Sequence, residues 1–265
     1  MAERIAVSLA AWRLPLEQAL DRARDLGARA VDIIAMPGSG QLDPAAVARD
    51  PQSWIHRVGA ALRRRGLRCS ALNAAVADPH HADRPVVRRR ALFEAEALAR
   101  LCAGLGARVL TLYPGYVHQG DAIPGGLAAT CRSWMAIGRR HGVHLAPEVH
   151  WRSALPTPQS AMALAAQVPG LRFTLDPSHQ LAAGLPLADW LPLLPRVVHV
   201  HWRDAGTDRL HVAWGTGSLD GDGLISWLRS AGYQGWLTAE ALPETDPGSS
   251  DLAVLLRHLR RFNAL

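Results

Sequence analysis

The 265-residue chain is 49% hydrophobic, carries a formal charge of +6, and has only arginine among its 29 basic residues. Without lysine, Schiff-base catalysis, a P-loop amine and a lysine general base are all excluded. MAERIAVSLA lacks the apolar region of a signal peptide and no run of about 18 apolar residues occurs, so a cytoplasmic protein without membrane spans is expected.

Short apolar runs recur along the chain: IAVSLA (5–10), AVDIIA (30–35), RCSALN (68–73), RVLTLY (108–113), VHLAPE (143–148), RFTLDP (172–177), VVHVHW (197–202) and WLTAEA (236–241). Each reads as a buried strand. Between them lie amphipathic segments. Pro15 opens LPLEQALDRARDLG, where Leu16, Ala19, Leu20, Ala23 and Leu26 repeat at helical spacing and Gly27 closes the helix. RRRALFEAEALARLCAGLG (88–106) ends on Gly106 in the same way. TPQSAMALAAQVPG (157–170) starts with Thr157 as N-cap and Pro158 at the first helical position. GLISWLRSAGY (223–233) and SSDLAVLLRHLRRF (249–262) continue the pattern. The repeated helix–Gly–strand junction marks βα units and hence a parallel sheet. Eight units in about 250 residues predict one (β/α)8 barrel spanning 1–265, and no GxGxxG follows the first strand to favour a dinucleotide-binding sheet. Cys69, Cys102 and Cys131 form no CxxC and are expected to be buried hydrophobes. The arginine runs 63–65 and 88–90 read as solvated helix faces, with no aromatic residues interleaved to suggest a nucleic-acid surface.

In such a barrel the working residues stand at the C-terminal ends of the strands. Strands five to eight end in Glu148, Asp176, His201 and Glu240. Three carboxylates meeting at an apolar mouth repel one another unless a cation neutralises them. Two Glu, one Asp and one His form an oxygen-rich set suited to Mn²⁺, Co²⁺ or Mg²⁺, with Zn²⁺ also within its range. His201 is nearer the strand end than His199, which is expected to lie one layer deeper, beside the ligands or in the core. Around the four stand His179, Asp204 as an orienting partner for His201, His150, and His211 before the Gly215–Gly217 turn. Arg203 is a candidate for an anionic substituent, and Trp214 for stacking on a sugar. His80 and His81 read as surface residues of a polar loop.

LAPEVH, TLDPSH, VHVHWRD, GTGSLD and GYQGWLTAE resemble, in order and spacing, the second half of the xylose isomerase-like TIM barrel superfamily, the sugar phosphate isomerase/epimerase group. TLYPGY is similar to that group's fourth-strand segment. The resemblance implies a single divalent metal held by Glu148, Asp176, His201 and Glu240, with His179 touching substrate. It also implies that Glu148 and Glu240 act on opposite faces of a sugar, one removing and one returning a proton beside a carbonyl. The expected activity is therefore isomerisation or epimerisation of a sugar, sugar phosphate or keto-polyol through a metal-stabilised enediolate. A dehydratase of the inosose or dehydroshikimate type shares that intermediate. Abasic-site endonucleases of the group carry further histidines where this chain has Asn73 and Tyr113, which disfavours a nucleic-acid substrate. A catalytically silent metal-binding barrel is a further alternative. A homo-oligomer is compatible with such barrels, although no helix stripe announces one.

Overall fold

Alternation of apolar strand and amphipathic helix builds a ring of eight parallel strands in the computed structural model, which describes residues 4–76, 85–116, 125–242 and 250–263. The strands are β1 (Ile5–Ser8), β2 (Ala30–Ala35), β3 (Arg68–Ala74), β4 (Val109–Leu112), β5 (His144–Pro147), β6 (Phe173–Leu175), β7 (Val197–Trp202) and β8 (Trp236–Ala239). Their order is β5-β4-β3-β2-β1-β8-β7-β6. The ends meet through a parallel bridge between Glu148 and Thr174, so the sheet is a nearly closed barrel. His80 and His81 lie outside the described residues.

The helices are α1 (Leu16–Asp25), α2 (Pro44–Arg49), α3 (Pro51–Arg64), α4 (Pro85–Gly104), α5 (Gly125–His141), α6 (Pro158–Gln167), α7 (Pro177–Ala182), α8 (Gly221–Ser230) and α9 (Ser250–Asn263). Local chemistry sets their ends. Thr157 and Ser160 form a reciprocal capping box ahead of α6. Gly27 and Gly106, at φ +80° and +79°, supply the left-handed residue that turns the chain from α1 and α4 toward the next strand. A 3₁₀ stretch, Leu187–Arg196, was not anticipated by the sequence pattern; Pro192 and Pro195 within it prevent a regular α-helix. Among the described residues, no helix is long and apolar enough to cross a membrane.

The observed strands β5, β6 and β8 stop one or two residues short of the predicted runs. The chain leaves the ladder just before Glu148, Asp176 and Glu240, so these side chains stand at the barrel's C-terminal rim. Apolar side chains fill the layer between strands and helices, with Leu20, Leu72, Leu98, Leu110, Trp134 and Phe173 fully buried. Cys69, Cys102 and Cys131 are buried free thiols, as their isolation in sequence predicts. The barrel interior is more polar. β2, β4, β6 and β8 contribute the buried side chains Asp32, Thr111, Thr174 and Thr238. Thr111 and Thr174 bond each other across the interior at 2.8 Å, which offsets part of the cost of removing hydroxyls from water.

Candidate metal centre

The four rim residues converge. Nδ1 of His201 lies 2.7 Å from Glu148 Oε1 and 3.8 Å from Glu240 Oε2. Potential ligand atoms of Glu148, Asp176 and His201 all lie within 4.8 Å of one another. Each arrives by its own local cause. Glu148 and Glu240 are the first residues past β5 and β8. Asp176 caps α7, one carboxylate oxygen accepting the Ser178 amide at 2.8 Å, and this leaves the other to face the cluster. His201 is held from behind: Asp32 Oδ2 lies 3.0 Å from its Nε2.

Positive charge balances the carboxylates. Arg203 is buried, with Nη2 2.6 Å from Asp176 Oδ2 and Nη1 3.8 Å from Glu240 Oε2. Its Nε donates to Ser178 Oγ at 2.7 Å, and Nη2 also lies 3.2 Å from His179 Nε2. The guanidinium is therefore turned inward onto the candidate ligands. Burial pulls the His201 imidazole down, but Glu240, Glu148 and Asp32 together hold it well above its usual range. Burial also raises both glutamates. For Glu148, His201 reverses the effect and leaves its carboxyl low; for Glu240, burial prevails and its carboxyl is raised. His179, almost wholly buried, is pushed down to about 3 and is neutral.

These groups fit a divalent cation. At this point of the rim the carboxylates of Glu148 and Asp176 lie with the His201 imidazole within 4.8 Å, and Glu240 stands 3.8 Å from His201; these are the kinds of donor that Mn²⁺, Co²⁺ or Mg²⁺ take. His201 presents Nδ1 to that point while its other nitrogen bonds a carboxylate, as metal-ligating histidines do. Two other groupings have the proximity for a cation: Asp32 with His199 and His201, and Glu148 with His150 and His179.

Residues 20–262 match the family model described as a xylose isomerase-like TIM barrel. The chain belongs to the xylose isomerase-like TIM barrel family. No curated protein sequence matches it. Solved structures share its fold at low identity. The 3-keto-D-glucoside 4-epimerase of E. coli aligns with TM-score 0.77 and 16% identity over 98% of this chain and 99% of that one. D-psicose 3-epimerase of Clostridium cellulolyticum H10, solved with D-tagatose, gives 0.75 and 13% over 98% and 99%. A xylose isomerase domain protein of Alicyclobacillus acidocaldarius gives 0.74 and 24% over 99% of each.

Not every residue singled out in this family member reaches the cluster. His179, on α7 rather than in a loop, stacks on His150 with ring centroids 3.7 Å apart, so both stand at the rim beside Glu148. His211 instead pairs with Asp251 of α9 at 3.1 Å. Trp214 packs on His258 at 4.4 Å and on Trp202 at 6.3 Å. Asp204 does not orient His201. Its carboxylate accepts the amides of Ala205, Gly215, Gly217 and Leu219 at 2.9–3.0 Å. The Gly215 and Gly217 amides are thereby occupied and do not form a phosphate cradle.

Two site residues escaped the sequence reading. Ser8, the last residue of β1, donates to Glu240 Oε1 at 3.2 Å, and nothing local distinguishes it. Asp32 had a visible signal: it is an acid within the otherwise apolar run AVDIIA.

Proposed function

We propose that the chain is a divalent-metal-dependent isomerase or epimerase of uncharged keto sugars, with Glu148, Asp176, His201 and Glu240 as the metal-holding set. The observation that carries this is that Glu148, Asp176 and His201 bring ligand atoms within 4.8 Å of one another, with Glu240 Oε2 3.8 Å from His201 Nδ1, beside an arginine paired to Asp176. A divalent cation bound there supplies Lewis-acid polarisation of a substrate carbonyl. The relatives in fold named 3-keto-D-glucoside 4-epimerase and D-psicose 3-epimerase act, by those names, on keto sugars, which supports the substrate class.

The protein's own groups divide the remaining work. Glu148, held ionised by His201, takes the proton from the carbon beside the carbonyl. Glu240, on its own side of the site, returns a proton, and exchange with solvent between turnovers restores both carboxyls. His150 donates from Nδ1 to the Trp151 carbonyl at 2.8 Å, which leaves Nε2 to accept from a sugar hydroxyl. Buried Nδ1 of His179 has no hydrogen-bond partner among the described residues and serves a second hydroxyl. A neutral substrate is favoured because the guanidinium of Arg203 is already engaged by Asp176.

The test is hydrogen–deuterium exchange at carbon in D₂O over a panel of keto sugars and their phosphate esters, with Mn²⁺ added. Exchange with at least one free sugar, lost in Glu148→Gln and Glu240→Gln, is the expected result. Loss of a hydroxyl instead would make the chain a dehydratase. Absence of exchange across the panel would overturn the enzymatic reading.

A further inference from the structure

Beneath the rim, Asp32 occupies the barrel interior with no exposed surface. Its Oδ2 lies 3.0 Å from Nε2 of His201 and 3.1 Å from Nε2 of His199, two side chains carried on the opposite flank of the ring by β7. As a carboxylate, Asp32 only accepts, so both imidazoles direct an N–H at it. That assignment decides the orientation of His201. With Nε2–H committed to Asp32, the ring turns Nδ1 toward Glu148 and Glu240.

We propose that Asp32 is a positioning residue of the metal centre, fixing the tautomer and ring plane of His201 so that Nδ1 is the nitrogen offered to a cation. The inference rests on reading the four rim residues as metal ligands.

The backbone is built for this contact. Opposite the Val31–Asp32 step, β3 carries one extra residue, Ser70, because Val31 pairs with Cys69 and Asp32 with Ala71. On the other side, β7 carries an extra residue, Val198, opposite Phe173–Thr174, just before His199. Such bulges bend a strand and re-aim the side chains that follow. Here one adjoins Asp32 and the other immediately precedes the two histidines. His199 completes the support: its Nε2 is also 3.1 Å from Thr238 Oγ1, so it holds Asp32 in place without reaching the rim carboxylates.

The test compares Mn²⁺ and Zn²⁺ affinity, by competition with a chromophoric chelator, in wild type, Asp32→Asn and Thr238→Val. Asp32→Asn keeps the shape but cannot serve both N–H groups as a carboxylate does; affinity is expected to fall 10–100-fold. Thr238→Val removes the hydroxyl that bonds His199 and leaves the backbone pairing of Thr238 with His201 in place, so affinity is expected to stay within about threefold of wild type. A general loss of packing would instead weaken both variants together, and would overturn the proposal. Unchanged affinity in Asp32→Asn would also overturn it while leaving the four-ligand reading intact. If Asp32→Asn abolishes binding but Glu148→Gln does not, Asp32 is itself a ligand and the positioning role is wrong. Wild type that binds no metal would overturn both. Independently of any variant's folding, long-range ¹H–¹⁵N correlation spectra of Zn²⁺-loaded wild type should place the His201 proton on Nε2 and the metal on Nδ1. The reverse arrangement would sink the proposal.

Discussion

Nδ1 of His201 and Oε1 of Glu148 are 2.7 Å apart, within hydrogen-bond distance at the place where a cation would sit. His201 is held well above the ordinary imidazole range by Glu240, Glu148 and Asp32, which favours a proton on Nδ1. A cation must displace it. Apparent metal affinity should therefore rise with pH, by up to about tenfold per unit, until the pKa of His201 is passed. Isothermal titration in buffers of different ionisation enthalpy should show about one proton released per metal. Release of none would mean that His201 is not a ligand.

Glu148 and Glu240 differ in charge state, and their amide variants should differ accordingly. On the proposed assignment, Glu148→Gln removes both a ligand and the base. Metal content measured by elemental analysis should fall well below one per chain, with kcat reduced by at least about 100-fold. Glu240→Gln should lose activity to a similar degree but bind metal more readily than Glu148→Gln, because its carboxyl is the one that burial disfavours as an anion. Full metal retention by Glu148→Gln would contradict the coordination set.

Arg203 is the counter-ion of Asp176 when no cation is bound, at 2.6 Å and with both groups buried. Arg203→Gln leaves Asp176 and Glu240 uncompensated. The metal-free variant should be destabilised by about 3 kcal/mol, and saturating Mn²⁺ should recover more of its Tm than it adds to wild type. Thermal melts with and without metal measure this directly. Equal metal-induced shifts in the two proteins would show that Arg203 does not balance the site.

Asp204 latches the segment that follows β7 by accepting four backbone amides, from Ala205, Gly215, Gly217 and Leu219. Asp204→Ala should cost about 3 kcal/mol in chemical denaturation, since several donors lose a charged acceptor at once. Gly217→Ala should be damaging for a related reason: a Cβ there would lie 2.2 Å from the Asp204 carboxylate and 2.5 Å from the Ala205 carbonyl. A destabilisation under about 1 kcal/mol for Asp204→Ala would show that the amides find water instead.

The eight-strand rhythm was legible because each unit carries its own local markers: a buried apolar run, an amphipathic helix, and a glycine at the junction. The rim carboxylates were legible for a related reason. Glu148, Asp176 and Glu240 each interrupt an apolar run at its end, which in this architecture is the barrel mouth. The same logic did not reach the partners of His211, Trp214 and Asp204 within the protein. They follow β7 in sequence, but their partners are fixed by how the chain folds back. His211 meets Asp251, far along the chain on α9, and Asp204 turns to amides 11 to 15 residues ahead.

By itself the sequence determined the repeating βα unit, its eightfold count, and which chemical groups each strand end carries, because period, caps and composition are local properties. Only the tertiary structure decided that Arg203 faces inward, that Ser8 and Asp32 join the site, and which nitrogen of His201 faces the carboxylates. Those outcomes depend on ring closure and on bulges that set register between strands distant in sequence. Distances across a barrel are fixed when the ring closes, and no segment carries that information alone.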